Sequence, residues 1–256
     1  MSARQELRRA ARIAGFGALT SAMLPAFLAH HRLSPEEARD RVRRRWVGAW
    51  SSTLLSLFGV EVLLEGTPTP PGTGSLVVAN HRSTADILVL LRVFGGHMVS
   101  RADLAKWPLL GAAARSVGTL FVERKDAASG AATVRSIRTR IMAGDTVILF
   151  PEGTTFPDDE VRPFHAGAFV AAARSSAVVV PVGIAYQAGS GAAFVNETFG
   201  AHLSRVAGAP PSRVALCIGD PVPVDAHPRA SHLRDAMQAE VQALVRRARA
   251  RVDADG

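Results

Sequence analysis

The pattern of apolar and polar positions changes character near residue 60. Before that point lie two uncharged runs, 17 residues at 13–29 and 15 residues at 46–60. After it, short β-branched runs alternate with longer stretches of helical length. The short runs predict strands at 60–64, 75–79, 96–100, 119–123, 146–150, 178–186 and 214–218. Between them, helices are predicted at 85–93, 107–117, 131–142 and 167–174. Such alternation predicts the α/β class, with a largely parallel sheet flanked by helices. Near the end, Ser231 is placed to cap a helix in which Leu233, Met237, Val241, Leu244 and Ala248 recur at three- and four-residue steps. That spacing turns Arg246, Arg247, Arg249 and Arg251 toward solvent. Segment 66–74, with Pro68, Pro70 and Pro71, predicts a loop. The chain thus divides into a basic, apolar helical segment, 1–59, and an α/β domain, 60–256.

Charge refines the first of these units. The 256 residues are 48% hydrophobic and 20% charged, as in an ordinary globular chain, and the net charge is +8. Arginine supplies 28 of the 30 basic residues; the lysines are Lys106 and Lys125. Residues 1–45 hold ten arginines against four acids, so +6 of the +8 sits there. At about 1.5 Å per residue the run at 13–29 reaches roughly 26 Å, short of the ~30 Å hydrocarbon core of a bilayer. Pro25 interrupts it, and basic residues on both sides remove the usual charge asymmetry across a membrane. A two-helix hairpin lying in or on the interface fits better, its arginines on anionic headgroups and Trp46 and Trp50 at headgroup depth. The same runs also suit core-packing helices of a soluble protein. Aromatics are 6% of the chain and no nucleic-acid module is present, so a nucleic-acid partner is not expected. The single cysteine, Cys217, lies among Val214, Ala215, Leu216 and Ile218 and reads as a core-strand thiol. That excludes a disulfide-built fold and a multi-cysteine metal site.

Four short blocks carry the candidate chemistry. The first follows the strand at 75–79: Asn80-His81-Arg82-Ser83-Thr84-Ala85-Asp86. A histidine at a strand end and a carboxylate five residues on, in a first helical turn, can face each other across a tight loop. Asp86 would then hold Nδ1 of His81 and leave Nε2 to take a proton from a bound hydroxyl. Alternatively, Asp86 caps the helix and His81 is a polar strand end. The second block runs from Gly118 to Arg124, its strand delivering Arg124 to the sheet edge where anionic ligands bind, or where a surface ion pair forms. The third is Phe150-Pro151-Glu152-Gly153-Thr154, a strand ending in a tight turn. There Gly153 allows close backbone approach, its neighbouring N–H groups could cradle an oxyanion, and Glu152 could bind hydroxyls, orient Arg124 or be a plain turn carboxylate. The fourth, Val180-Pro181-Val182-Gly183-Ile184, is a buried strand broken by proline, which is open to a structural reading.

Together and in this order, Asn-His-x4-Asp, Gly-x2-Phe-Val-x-Arg, Phe-Pro-Glu-Gly-Thr and Val-Pro-Val-Gly-Ile resemble the four blocks of the glycerolipid acyltransferases, typified by bacterial 1-acylglycerol-3-phosphate acyltransferase. Trp107-Pro108-x2-Gly111 resembles that family as well. The resemblance implies an αβ sandwich of the glycerol-3-phosphate acyltransferase type with an N-terminal two-helix membrane-binding motif, residues 60–256 being the acyltransferase domain. It implies direct acyl transfer to a lysolipid hydroxyl, with His81 and Asp86 as the general base pair. The acyl donor would be acyl-CoA or acyl carrier protein, with no cofactor and no metal. Arg124, Glu152, Gly153, Thr154, Gly118 and Arg162 would hold the acceptor, and Pro181 would help shape the acyl or acceptor channel. The expected location is the cytoplasmic face of the cell membrane, peripheral or monotopic. Two positions depart from the family's phosphate-binding pattern: Thr155 stands where many members have arginine, and His165 where they have lysine. Lysophosphatidic acid stays first among acceptors, with another lysophospholipid or a lyso-ornithine lipid as the alternative. A thioesterase using the same pair on water is the rival activity.

Overall fold

Strands buried on both faces need no polar alternation, and the most continuous apolar runs become the centre of the sheet. The computed structural model describes residues 2–123, 126–173, 175, 177–226 and 229–254. Its strands are β1 (Val60–Glu65), β2 (Ser75–Ala79), β3 (His97–Arg101), β4 (Leu120–Val122), β5 (Thr146–Leu149), β6 (Val178–Tyr186), β7 (Ser212–Ile218) and β8 (Val222–Pro223). They form one sheet in the order β1-β7-β6-β2-β5-β3-β4, with β8 also on β6. From β6 to β4 every pairing is parallel. At the other side β7 runs antiparallel to β6, and β1 runs parallel to β7. The predicted parallel sheet is therefore correct through the centre and reversed at one edge.

Side chains alternate between two helical layers. Val77, Val180, Val182 and Ile184 face α2 (Glu36–Phe58) and α3 (Ala85–Phe94), with Leu55, Val89 and Leu90 among the buried contacts. Leu76, Val78, Val147 and Val179 face α5 (Ala127–Met142), α6 (Gly167–Ala172) and α8 (Ala230–Ala254). The short helix α4 (Leu110–Ser116) precedes β4, and α7 (Phe199–Gly208) lies between β6 and β7. Gly183 explains part of its own block: a Cβ there would lie 2.3 Å from the Leu244 carbonyl carbon, so α8 rests directly on β6. Cys217 is fully buried against α8, and burial pushes its thiol up to about 11, which keeps it protonated. Ser231 falls inside the first turn of α8 and not before it, and Arg249 is drawn inward to the Tyr186 carbonyl and Asp159.

The N-terminal segment differs most from expectation. α1 (Ala3–Leu33) continues through Pro25 as one helix of 31 residues, about 46 Å long. Proline removes one helical donor, and the surrounding turns hold against α2 and α7. Several arginines assigned to headgroups are spent internally. Arg8 donates to the Gly208 carbonyl, and Arg12 to those of Leu57, Ala207 and Ala209, at the ends of α7 and α2. Arg43 does the same for Gly95 and Gly96, after α3. Carbonyls at helix ends lack intrahelical donors, and guanidinium groups fill that role. Trp46 and Trp50 are half-buried and donate to His30 Nδ1 and Thr20 Oγ1 across the α1–α2 seam. Among the described residues, α1 is the one helix long and apolar enough to cross a membrane.

Candidate active site

β2 and β5 are parallel neighbours, so the loops that follow them emerge at the same sheet edge. Asn80 governs the exit from β2. Its amide donates to the Ile184 carbonyl at 3.0 Å and accepts the Ile184 N–H at 2.8 Å, extending the pairing with β6 by a side chain. His81 is then free to leave the sheet plane. Its Nδ1 lies 2.8 Å from Oδ2 of Asp86, in the first turn of α3. The same oxygen accepts the N–H groups of Arg82 and Ser83 at 2.6 and 2.8 Å. Oδ1 accepts the hydroxyl of Tyr186. Asp86 is completely buried, and its carboxylate is the acceptor in every one of these N–H and O–H hydrogen bonds. Burial and the neighbouring Asp86 push the Tyr186 hydroxyl well above its ordinary pKa, so it stays a donor. The imidazole of His81 stacks on Phe150 with centroids 3.8 Å apart and planes 5° from parallel. With Nδ1 engaged, Nε2 is the nitrogen left for the cavity that His81 lines.

Glu152 lies beneath this site and does not line it. Its Oε2 accepts the His81 N–H at 2.7 Å and its Oε1 the Arg162 N–H at 2.8 Å, so one carboxylate bridges two loops. Burial pushes it up to about 7 against the pull of those two N–H donors. The expected role in binding hydroxyls is thus replaced by loop positioning. Gly153 has φ +81° and lines the cavity, but its N–H is given to the Phe150 carbonyl at 3.1 Å. That bond spends the N–H of Gly153 itself. Thr154, Thr155 and His165 line the cavity, and the Thr155 hydroxyl donates to the Phe194 carbonyl. The Arg162 side chain turns to Asp158, Glu160 and the Phe156 ring. Gly118, at φ +77°, takes His97 Nδ1 on its carbonyl at 3.0 Å and stands outside the cavity wall. Pro181 is also outside it, at the gap between β7 and β8, where its carbonyl accepts the Gly219 N–H. Arg124 lies outside the described residues.

The cavity has a volume of about 860 Å³ and reaches from Phe27 and Trp50 in the N-terminal hairpin, past His81, to Val134 and Ile137 on α5. Its wall is mainly apolar. Arg101 is the one arginine or lysine among the described lining residues, and it is paired with Asp103 at 2.9 Å. Glu197 adds a second carboxylate. Elsewhere, Asp40, His97 and Asp145 place ligand atoms within 4.8 Å of one another. Arg43, Arg44 and Arg140 already pair with those carboxylates, which leaves little charge for a cation. Tyr186 and His202, at the site, lie outside the four blocks, and Phe150 and Thr84 lie inside them without a role of their own in the sequence reading. Parity could have found Tyr186, since it shares the Val182 and Ile184 face of β6.

The acyltransferase family model matches residues 61–185, a segment containing all four blocks. The chain is 30% identical over 243 residues to a lyso-ornithine lipid O-acyltransferase of Pseudomonas aeruginosa, covering 93% of each. It is 34% identical over 151 residues to a lyso-ornithine lipid O-acyltransferase of Brucella abortus, covering 56% of each. A 1-acyl-sn-glycerol-3-phosphate acyltransferase of Neisseria gonorrhoeae is 31% identical over 129 residues, 50% of this chain and 49% of the other. The crystal structure of the 1-acyl-sn-glycerophosphate acyltransferase PlsC from Thermotoga maritima shares the fold, with a TM-score of 0.78 at 20% identity over 96% of this chain and 98% of that one. From a relative aligned over nearly its whole length and a fold shared end to end, it follows that this chain belongs to the PlsC-like glycerolipid acyltransferase family.

Proposed function

We propose that this chain moves a fatty acyl group from an acyl thioester, acyl-CoA or acyl carrier protein, to the free hydroxyl of a lysolipid. The observation that carries this reading is the His81–Asp86 pair set in the wall of a large apolar cavity. Nε2 of His81 takes the proton as the lysolipid oxygen attacks the thioester carbonyl. The tetrahedral intermediate collapses, the C–S bond breaks, and the imidazolium returns the proton to the departing thiolate. Asp86 stabilises the imidazolium while it exists. No covalent enzyme intermediate is required, consistent with a buried, protonated Cys217.

For the acceptor, two observations favour a lyso-ornithine lipid over 1-acylglycerol-3-phosphate. Among the described wall residues the charges are already paired, Arg101 with Asp103 and Glu197 with Arg205, which leaves no spare cation for a phosphate dianion. The relative aligned over 93% of the chain is a lyso-ornithine lipid O-acyltransferase. The glycerophosphate reading keeps the support of the Neisseria relatives. The enzyme would work at the cytoplasmic face of the membrane, where such thioesters are found. Exposed Leu7 and Leu33, near the two ends of α1, are apolar side chains available to the interface.

The test is acyl transfer by purified protein to each lysolipid, with free fatty acid measured alongside. An ester product is expected, and His81→Ala should lose roughly 10²- to 10⁴-fold in kcat with a nearly unchanged Tm. An active alanine variant removes His81 as the base. Fatty acid release indifferent to any acceptor makes the protein a thioesterase.

A further inference from the structure

Thr84 occupies the N-cap position of α3, yet its hydroxyl makes no capping bond. Asp86 and Ser83 do that work, the first accepting the Arg82 and Ser83 N–H groups and the second accepting the Ala85 N–H at 3.2 Å. The Thr84 hydroxyl instead lies 2.9 Å from Nε2 of His202, on α7 and 118 residues away in sequence. His202 is 1% exposed, its Nδ1 lies 3.0 Å from Glu197 Oε1, and its ring packs on Phe194 at 4.6 Å. Arg205 Nη2 gives its two protons to Glu197 Oε1 and the Ala193 carbonyl, so it leaves Nδ1 to donate to the carboxylate. Burial, aided by Arg205 and opposed by Glu197, lowers the pKa of His202, which favours the neutral ring. With the ring proton on Nδ1 and donated to Glu197, Nε2 accepts the Thr84 hydroxyl proton. The Thr84 oxygen then keeps its lone pairs for the cavity, which Thr84, His202, Glu197 and His81 all line.

This corner of the wall therefore presents acceptors, three residues from the base. An amino-acid headgroup carries N–H donors; a glycerol phosphate carries none. We infer, on the lysolipid reading above, that the Thr84 hydroxyl held by His202 recognises an N–H donor in the acceptor's headgroup and so selects an amino-acid lysolipid.

Steady-state kinetics of the full chain, varying each lysolipid at saturating acyl thioester, test this. Thr84→Val should raise KM for lyso-ornithine lipid about tenfold, the worth of one hydrogen bond to a bound ligand, with kcat within about twofold. KM for 1-acylglycerol-3-phosphate should move less than about twofold. Thr84→Ser, which restores the hydroxyl, should return KM for the amino-acid lysolipid to the wild-type value. His202→Ala leaves the Thr84 oxygen in place but unheld and should raise the same KM less than Thr84→Val does, and the double variant should match Thr84→Val, because without the hydroxyl there is nothing for His202 to hold. An unchanged KM in Thr84→Val, an equal rise for both lysolipids, or a Ser variant as poor as Val overturns the inference. So does a wild-type protein that acylates 1-acylglycerol-3-phosphate alone, although acyl transfer then stands. A protein that acylates neither lysolipid overturns the proposed function itself.

Discussion

Asp86→Asn isolates the charge of the buried carboxylate from its shape. The amide oxygen can take the place of Oδ2 and still accept from Arg82, Ser83 and Nδ1 of His81. The amide nitrogen then faces the Tyr186 oxygen, which can accept once its own proton turns elsewhere. One buried O–H loses its acceptor, at about 1–3 kcal/mol, so Tm should fall by only several degrees. Catalysis should suffer far more. While His81 is neutral, Asp86 contributes orientation; once His81 is protonated, it contributes a unit charge at hydrogen-bonding distance. Two unit charges about 4 Å apart at an effective dielectric constant near 20 attract by roughly 4 kcal/mol. Because that attraction arises only on the way to the transition state, it converts to about 10³ in kcat. The assay is kcat for acyl transfer at saturating thioester and lysolipid, beside a thermal melt of the same preparation. An Asn variant that keeps more than a tenth of the wild-type kcat would show that Asp86 is a structural cap and that its charge is not used.

Two further outcomes follow from the packing. Glu152→Gln must place an NH₂ against a backbone N–H, since His81 and Arg162 each donate to one carboxylate oxygen; it should cost about 1–3 kcal/mol, read as a lower Tm. Because burial raises the folded pKa of Glu152 to about 7, its proton is held more tightly folded than unfolded. The Tm advantage of wild type over Glu152→Gln should then be greatest below about pH 4.5 and shrink as pH rises through about 7; an advantage that grows with pH would contradict the assigned direction. Gly183→Ala drives a Cβ into the Leu244–Val245 backbone and should lose several kcal/mol, seen as insoluble expression or a Tm lowered by about 10 °C or more. A Gly183→Ala protein with wild-type Tm would mean that α8 is free to lift from the sheet.

The central sheet was legible because its strands are buried on both faces and so appear as unbroken β-branched runs. The His81–Asp86 pair was legible because five residues separate its members and a strand end and helix start fix both. The reversal of β7 left no local mark, since a buried run reads the same in either direction. α7 and His202 belong to no block, and only a contact 118 residues away reveals what His202 does. Glu152 shows the same limit: its residue type suggested a ligand, while its two N–H partners make it a strut. The arginines were legible only in part, Arg4, Arg32, Arg39, Arg41 and Arg45 staying exposed. Counted by position they describe a membrane-facing segment, but the destinations of Arg8, Arg12 and Arg43 are carbonyls supplied by tertiary structure.

The pairing of β1 with β7, and of Arg8 with Gly208 across 200 residues, also sets an order of events during synthesis. At roughly 5–20 residues per second, the completed amino-terminal hairpin waits about 8–30 s for the carbonyls at the end of α7. Throughout that interval Arg8 lacks the Gly208 carbonyl and Arg12 those of Ala207 and Ala209, and the side of α1 that packs on α7 is uncovered. The amino-terminal hairpin is thus made first and completed late, when α7 supplies the partners that its arginines and its α7-facing side require.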